Sequence, residues 1–189
     1  PFGMVKIAPD NQPQGWCSGY EYSHEYIDCF SHIHEWTMAG LGVMPTVGEL
    51  RTRPGLDGTG YSSRFDKSTE RGGIGFYEVL LKDSGIKVAL TATTRAALQR
   101  YTFPASDRAR VLFDFLLPNE YKMKTLAARV RRSGPAEIEG TIETESTGLS
   151  FDQRFDRHFV AQLSRPFDRL GGWDGEKIIT GANELSGAN

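Results

Sequence analysis

The chain has 189 residues, 39% of them hydrophobic and 24% charged, with 22 basic side chains against 24 acidic for a net charge of −2. This balance describes a folded globular domain rather than a disordered chain, and it leaves no broad basic field to hold a phosphate backbone, so nucleic-acid binding is disfavoured. No apolar run approaches the ~20 residues that a spanning helix needs, so no membrane span is expected.

The chain opens Pro1-Phe2-Gly3-Met4, with neither an initiator methionine nor a signal peptide, and reads as part of something longer. Residues 1–60 are rich in glycine, proline and aromatics, with short apolar stretches between turn signals. From Phe76 the pattern becomes a regular alternation. Tyr77, Val79 and Leu81 fall on one face and Glu78 and Lys82 on the other; Asp83-Ser84-Gly85 signals a turn, and Ile86, Val88, Leu90 and Ala92 then alternate against Lys87, Thr91 and Thr93. The two runs predict a hairpin. Further strands are expected at Ala96 to Phe103, Val111-Phe113-Phe115, Leu126-Ala128-Val130, Ile138-Ile142-Thr144 and Phe159-Ala161-Leu163, punctuated by Pro104, Pro118-Asn119 and Ser133-Gly134-Pro135. No long stretch holds a 3.6-residue apolar period. Many strands, short turns and no crossover helix imply antiparallel sheets packed face to face, a large β-sandwich with one short helix around Glu120–Leu126. The end, Ile179 through Asn189, is small and polar and is expected to fray.

Residues 16–36 concentrate the chemistry: two of the three tryptophans, three of the four histidines, both cysteines and three tyrosines. Aromatic faces interleaved with imidazole, carboxylate and glycine suit a sugar site, since rings pack on C–H-rich pyranose faces while polar atoms bond hydroxyls. The same cluster also fits a polar corner of an aromatic core. His32 and His34 project to one face if they lie on a strand, so they can converge on a ligand or metal or form a satisfied structural pair. Two histidines do not complete a metal site, and Glu35 would point the opposite way. Trp16 sits in a loop between Gln14-Gly15 and Cys17-Ser18-Gly19 and is expected to face a ligand or partner; Trp36 fits either a platform or the core. Trp173, in Gly171-Gly172-Trp173-Asp174-Gly175, reads as a loop residue with a structural or interface role. Cys17 and Cys29 allow a disulfide or two partly buried free thiols. Arg129, Arg131 and Arg132 should meet Glu137, Glu139, Glu143 and Glu145 across neighbouring strands as a solvated charged face, and Asp66-Lys67 with Glu70-Arg71 reads as a polar loop. Carboxylates flank the aromatic cluster (Glu21, Glu25, Asp28, Glu35), but no spacing selects a catalytic pair, and no Ser-His-Asp arrangement or nucleotide fingerprint is present.

A series of short stretches in a fixed order resembles the N-terminal domain of glycoside hydrolase family 92, the calcium-dependent exo-acting α-mannosidases. They are Pro1-Phe2-Gly3-Met4-Val5 with Pro9-Asp10, Gly19-Tyr20-Glu21-Tyr22, Phe30-Ser31-His32-Ile33-His34, Met44-Pro45-Thr46-Val47-Gly48, Tyr61-Ser62-Ser63-Arg64-Phe65, Gly75-Phe76-Tyr77, Gly85-Ile86-Lys87-Val88, and Leu90-Thr91-Ala92-Thr93-Thr94-Arg95 running on to Arg100-Tyr101-Thr102-Phe103-Pro104. The resemblance implies an all-β fold, a large antiparallel β-sandwich of the galactose-mutarotase-like supersandwich type, with residues 1–189 as one domain and an (α/α)6 catalytic barrel beyond it. It implies an inverting glycosidase in which a glutamic acid protonates the leaving oxygen and an aspartate activates water, the carboxyls standing roughly 6.5–9.5 Å apart. Both residues and most of the shell of the Ca2+ cofactor would belong to the barrel, so no catalytic residue and no metal ligand is assigned to this chain. Trp16 aligns with a substrate-contacting tryptophan, and Cys17 begins the following loop. Ile33, Glu35 and Trp36 depart from the common histidine-threonine-histidine-leucine-serine-glycine run and would alter which aglycone is accepted. The family's upstream glycine- and histidine-rich strand end is missing.

The expected function is therefore one wall of the mannose cleft in an exported bacterial α-mannosidase, extracellular or periplasmic, with α-1,2 linkage as the implied specificity. Trp16, Cys17, His32, His34, Glu35 and Trp36 are the candidate substrate-binding residues, and a mannose-containing glycan and the C-terminal catalytic domain are the expected partners. The isolated fragment is expected to be inactive. A stand-alone carbohydrate-binding or lectin-like module is the rival reading, and a hexose epimerase a third, for which no paired acid and base is identifiable.

Overall fold

Side chains that alternate between water and interior build most of this protein. Its structure, a computed structural model, describes residues 5–11, 19–33, 41–117, 124–146 and 153–188. Among the described residues there are fifteen strands and no helix, so the all-β antiparallel architecture holds. The chain divides into two compact units, Pro1–Glu120 and Tyr121–Asn189.

The first unit carries β1 (Val5–Asp10), β2 (Tyr26–Ile27), β3 (Cys29–Ile33), β4 (Gly42–Thr46), β5 (Ser63–Gly73), β6 (Phe76–Leu81), β7 (Ile86–Ala92), β8 (Ala97–Thr102) and β9 (Arg110–Asp114). They form a four-stranded sheet ordered β1-β3-β4-β9 and a five-stranded sheet ordered β2-β5-β6-β7-β8. β1 lies against β7 and β8, which makes the pair of sheets a sandwich. The predicted hairpin is present as β6–β7, with Leu81 opposite Ile86 and Val79 opposite Val88. Those four side chains are buried, as is Leu90, whereas Lys87 and Thr91 on the alternate positions of β7 are exposed. The turn closes through Gly85, which adopts φ 69°, a left-handed conformation that costs glycine nothing.

The four-stranded sheet behaves differently. All five residues of β4 are buried, and so are Cys29, Phe30 and Ser31 in β3. It is covered on both faces, so its strands show no alternation to read. One face, with Phe30 and Val43, turns to the five-stranded sheet. The other carries Asp10, Cys29, Ser31 and Asp114, placed on a common face by the registers Asp10↔Cys29, Ser31↔Gly42 and Gly42↔Asp114. Gly42 is needed there: a Cβ on it would stand 2.9 Å from the Cys29 sulfur and 3.0 Å from the Leu117 carbonyl.

The second unit carries β10 (Lys124–Gly134), β11 (Glu137–Ser146), β12 (Gln153–Gln162), β13 (Leu170–Asp174), β14 (Lys177–Ala182) and β15 (Glu184–Ala188). Its sheet runs β12-β11-β10-β15, with β13–β14 as a separate hairpin. Val130, Ile138 and Ile142 are buried. The opposite face is ionic, as the sequence suggests: Arg131 Nε donates to Glu139 at 2.5 Å, and Arg154 pairs with Glu143. Arg129 instead reaches β15, placing two nitrogens on Glu184 at 2.7 and 2.9 Å. Arg132 departs from the charged group, donating to the Phe167 carbonyl and stacking 4.1 Å from its ring centroid.

Several expectations are corrected. The part of the Glu120–Leu126 helix that falls in described residues, 124–126, is the start of β10, where pairing with β11 overrides local propensity. Trp173 lies on β13, and Asp66, Lys67, Glu70 and Arg71 lie on β5, because ladder partners supply what polar or glycine-rich sequence does not advertise. The end of the chain does not fray through its described residues: Glu184–Ala188 is zipped onto β10. In β9 the deeply buried side chains are Leu112 and Asp114, between the aromatic positions that the apolar pattern picks out.

The alternation in β7 sets a direct expectation. Ile86→Ala should cost about 2–5 kcal/mol, and Lys87→Ala should stay within about 0.5 kcal/mol, in chemical-denaturation measurements. Equal losses at the two positions would contradict the assigned face.

Candidate functional site

Of the six candidate substrate-binding residues, His32 is described; Trp16, Cys17, His34, Glu35 and Trp36 lie outside the described residues. The structure nevertheless shows how the segments that carry them are bracketed. Segment 12–18 is bracketed by Asn11 and Gly19, and the Asn11 N–H donates to the Gly19 carbonyl at 3.0 Å. Segment 34–40 is bracketed by Ile33 and Leu41, and His32 Nδ1 lies 3.3 Å from the Leu41 carbonyl. Since Asp10 pairs with Cys29 and Val5 with Ile33, the two brackets lie at opposite ends of β3.

His32 shares the inward face of β3 with Phe30 and reaches the five-stranded sheet, where Gln99 of β8 meets its Nε2. The Tyr101 hydroxyl donates to the other side of the same amide. With Nδ1 donating to Leu41 and Nε2 accepting from Gln99, both ring nitrogens are engaged by the protein itself. Burial holds the imidazole at about 4, well under its ordinary 6.5, partly offset by the Leu41 carbonyl and reinforced by Lys6. It is a neutral hydrogen-bonding bridge between sheets at neutral pH.

Sequence reasoning gave no role to two buried acids on the other face of the same sheet, Asp10 and Asp114, and named Asp28 beside them only as one of several flanking carboxylates. Asp10 is fully buried, with the Lys6 ammonium 3.7 Å from one oxygen and the Cys29 thiol 3.8 Å from the other. Asp114 accepts the Tyr61 hydroxyl at 2.6 Å and the Leu116 N–H at 2.8 Å. Asp28 accepts the Ser62 hydroxyl, whose oxygen in turn takes the Gly55 N–H at 2.7 Å. Because Ser62 donates to a carboxylate rather than to an imidazole, this is no nucleophile arrangement. Burial pushes Asp10 up to about 6 and raises Asp28 and Asp114 as well. Cys29 is a free thiol; burial and the surrounding carboxylates push it well above its ordinary range, which keeps it inert. One signal was available for Asp114, a lone carboxylate inside the apolar run 111–117.

A third polar group ties the 19–22 stretch to β5. Glu70 accepts the Tyr20 hydroxyl at 3.0 Å on one oxygen and the Tyr77 hydroxyl at 2.7 Å on the other. Lys67 donates to the Tyr22 carbonyl at 2.6 Å and sits 4.7 Å from that ring's centroid. Tyr22 is held in this way while 68% exposed. A cleft of about 390 Å3 opens between the end of β4, residues 49–62 and the β6–β7 turn, edged by the Arg51–Glu49 and Arg64–Asp57 ion pairs.

Among the described residues, no group of three or more His, Cys, Asp or Glu side chains could hold a metal. The described buried aspartates do not gather the six to eight oxygens that a calcium shell needs: Asp28 and Asp114 accept hydroxyl donors, and Asp10 lies beside the Lys6 ammonium and the Cys29 thiol.

The profile of the Glycosyl hydrolase family 92 N-terminal domain matches residues 1–189. The chain belongs to this family. Among solved structures, the GH92 alpha-mannosidase BT3965 from Bacteroides thetaiotaomicron is similar with a TM-score of 0.86 and 25% identity, over 100% of this chain and 27% of that one. The same enzyme in complex with mannoimidazole gives 0.83 and 24%, over 100% and 26%. The GH92 family glycosyl hydrolase ccman5 shares the fold at 0.73 and 22%, over 100% and 26%. This family 92 domain thus spans 27% of the length of the first of these enzymes. No curated protein matches the chain.

Asp10 and His32 impose opposite pH dependences. Between its ordinary 3.8 and about 6, Asp10 is protonated when folded and ionised when unfolded, so its contribution falls as pH rises. Between about 4 and 6.5, His32 is neutral when folded and protonated when unfolded, so its contribution rises with pH. Lys6, Ser31 and Cys29 act on Asp10, and Asp28 and Asp114, which lie around Cys29 and are also raised by burial, add the same sign. Asp10→Asn should therefore turn the slope of stability against pH upward in this window, and His32→Gln downward, each by up to about 1.4 kcal/mol per pH unit. Unfolding midpoints measured at several pH values check this; superimposable slopes for both variants and the parent would contradict it.

Proposed function

We propose that this chain is the N-terminal sandwich of an exo-acting α-mannosidase, forming one wall of the mannose-binding cleft and packing on a catalytic barrel. The observation that carries the reading is the family 92 match along residues 1–189, in a chain that spans 27% of a similar α-mannosidase. Trp16 supplies an apolar face to a pyranose ring, and Cys17, His34, Glu35 and Trp36 contribute to hydroxyl contacts or to the aglycone side. His32 is engaged by the Leu41 carbonyl and Gln99 rather than by sugar, and so acts as a structural residue.

Hydrolysis requires a proton donor to the leaving oxygen and a base for water, on carboxyls roughly 6.5–9.5 Å apart for inversion. Neither role is assigned to this chain, because the family resemblance puts both carboxyls outside it. Both belong to the barrel, as do the ligands of the calcium ion, which would supply electrostatic stabilisation there. The substrate is a mannose-terminated glycan with α-1,2 linkage, trimmed outside the bacterial cytoplasm.

An apolar surface favours this reading over a free-standing binding module. Phe76 and Leu98 are 49% and 63% exposed and lie in one row across β6, β7 and β8 through Thr91, with Ile74 fully exposed at the adjoining turn. Such a patch is expected where a companion docks.

The test is kinetic. Full-length protein should release mannose from an α-1,2-linked mannobiose in a calcium-dependent manner, and the 189-residue fragment should show no turnover. Trp16→Ala should lower kcat/KM by about tenfold or more, a loss of about 1.4 kcal/mol of transition-state binding, with the melting temperature unchanged. Hydrolysis by the fragment alone, or a Trp16→Ala variant that melts early with unaltered kinetics, would overturn the assignment.

A further inference from the structure

The end of β4, residues 49–62 and the β6–β7 turn border the cleft of about 390 Å3, and the chain itself holds these walls in place. The Tyr61 N–H donates to the Arg53 carbonyl at 2.9 Å, the Thr59 N–H to the Leu56 carbonyl at 3.0 Å, and the Gly55 N–H to the Ser62 hydroxyl oxygen at 2.7 Å. The loop is drawn so tight that a Cβ on Gly60 would stand 2.4 Å from the Gly55 nitrogen. Asp57 turns the chain at φ 56°, a left-handed conformation that aspartate and asparagine tolerate better than most side chains. A recess with walls already fixed has little ordering left to oppose binding.

The lining is ionic but compensated. Three carboxylates, of Glu49, Asp57 and Asp83, face two guanidiniums, of Arg51 and Arg64. Arg64 is clamped between two acids: Nη1 lies 3.1 Å from Asp57, and Nη2 and Nε lie 3.0 and 3.1 Å from one Asp83 oxygen. The other Asp83 oxygen accepts the Arg64 backbone N–H at 2.8 Å. Arg51 pairs with Glu49 at 2.9 Å and passes 4.0 Å from where a Gly58 Cβ would stand. All five side chains stay partly exposed, so the donors and acceptors left over from the pairs are open to a ligand. Thr46 and Ser84, also in the lining, carry buried hydroxyls without a hydrogen-bond partner among the described residues, an unmet demand that buried polar groups rarely keep.

This charge pattern selects a class of ligand. An anion would meet three carboxylates, and a cation would meet two guanidiniums that already occupy the acids. An apolar ligand would strip water from charged groups and replace none of its hydrogen bonds. A neutral molecule with adjacent hydroxyls fits, because each hydroxyl both donates and accepts: one takes an arginine N–H while its neighbour donates to a carboxylate. The volume lies in the range of roughly 300–1,000 Å3 that small-molecule sites occupy. We infer that this cleft is a saccharide-binding site that takes one neutral hexose unit of a glycan, with Arg51 and Asp57 contacting its hydroxyls. The inference rests on the proposed mannosidase reading only for the choice of mannose; the charges call for a neutral polyol whatever its stereochemistry.

The experiment uses full-length protein with D-mannose as the probe and sodium sulfate at equal concentration as the anionic comparison. Hydrogen exchange is followed in peptides covering residues 46–62 and 82–86, with β10–β12 as reference. A single hexose should bind with a Kd on the order of 1–10 mM. Mannose at about ten times Kd should then slow exchange in the two cleft peptides roughly tenfold, with β10–β12 unchanged and sulfate without effect. Arg51→Ala and Asp57→Asn remove partners from exposed ion pairs that contribute little to stability, and asparagine keeps the left-handed turn. Each should raise the mannose concentration needed for half-protection by roughly tenfold at an unchanged melting temperature. No protection by mannose, equal protection by sulfate, protection that extends equally to β10–β12, or midpoints unmoved in both variants would each overturn the inference. Release of mannose from the α-1,2-linked mannobiose is measured on the same preparation. Hydrolysis without cleft protection sinks this inference alone; cleft protection without hydrolysis sinks the mannosidase reading and leaves the saccharide site standing.

Discussion

The central strands of the four-stranded sheet are buried on both faces, and this constraint governs the rest of the first unit. A sheet with no wet side must satisfy its polar groups from within. Asp10, Ser31, Cys29 and Asp114 crowd one face; the Tyr61 hydroxyl donates to Asp114, the Lys6 ammonium stands 3.7 Å from Asp10, and beside the sheet Ser62 donates to Asp28. On the other face His32 spans to Gln99 and joins the two sheets. The connections that cover this sheet are thereby tied to it at particular atoms.

Those ties explain why the polar chemistry of the interior is structural. A reacting acid or base must be reachable and must change protonation near working pH. The Asp10 and Asp114 carboxyls are spent on internal bonds, the Cys29 thiol is held protonated, and the His32 imidazole is held neutral with both nitrogens engaged.

The second unit follows simpler rules. Its sheet has one apolar face, with Val130, Ile138 and Ile142, and one ionic face of arginine–glutamate pairs. Exposed pairs of this kind contribute little to stability, about 0–1 kcal/mol each, and serve chiefly to keep strand edges in register and soluble. Gly140 is held more tightly by its surroundings. The Phe159 ring lies within 2.5 Å of where its Cβ would stand, so a bare backbone makes room for an aromatic on the buried side.

What the residues determined by themselves was local. Period-two alternation located β6, β7, β8, β10, β11 and β12, because each has one wet face and one dry one, and hydropathy along the chain reports that difference directly. The order of short motifs identified the family, which no periodicity could. The tertiary structure alone decided the rest. Strands buried on both faces, such as β4, carry no alternation; the C-terminal strand and the strand bearing Trp173 exist because a partner offers a ladder; and Asp10, Asn11 and Asp114 acquire meaning only from the atoms that meet them. Hydrogen-bond partners 10 to 53 residues apart in the chain, Asn11 with Glu21 and Tyr61 with Asp114, are set by packing. A one-dimensional pattern records how wet each position is, but not which distant group will satisfy it.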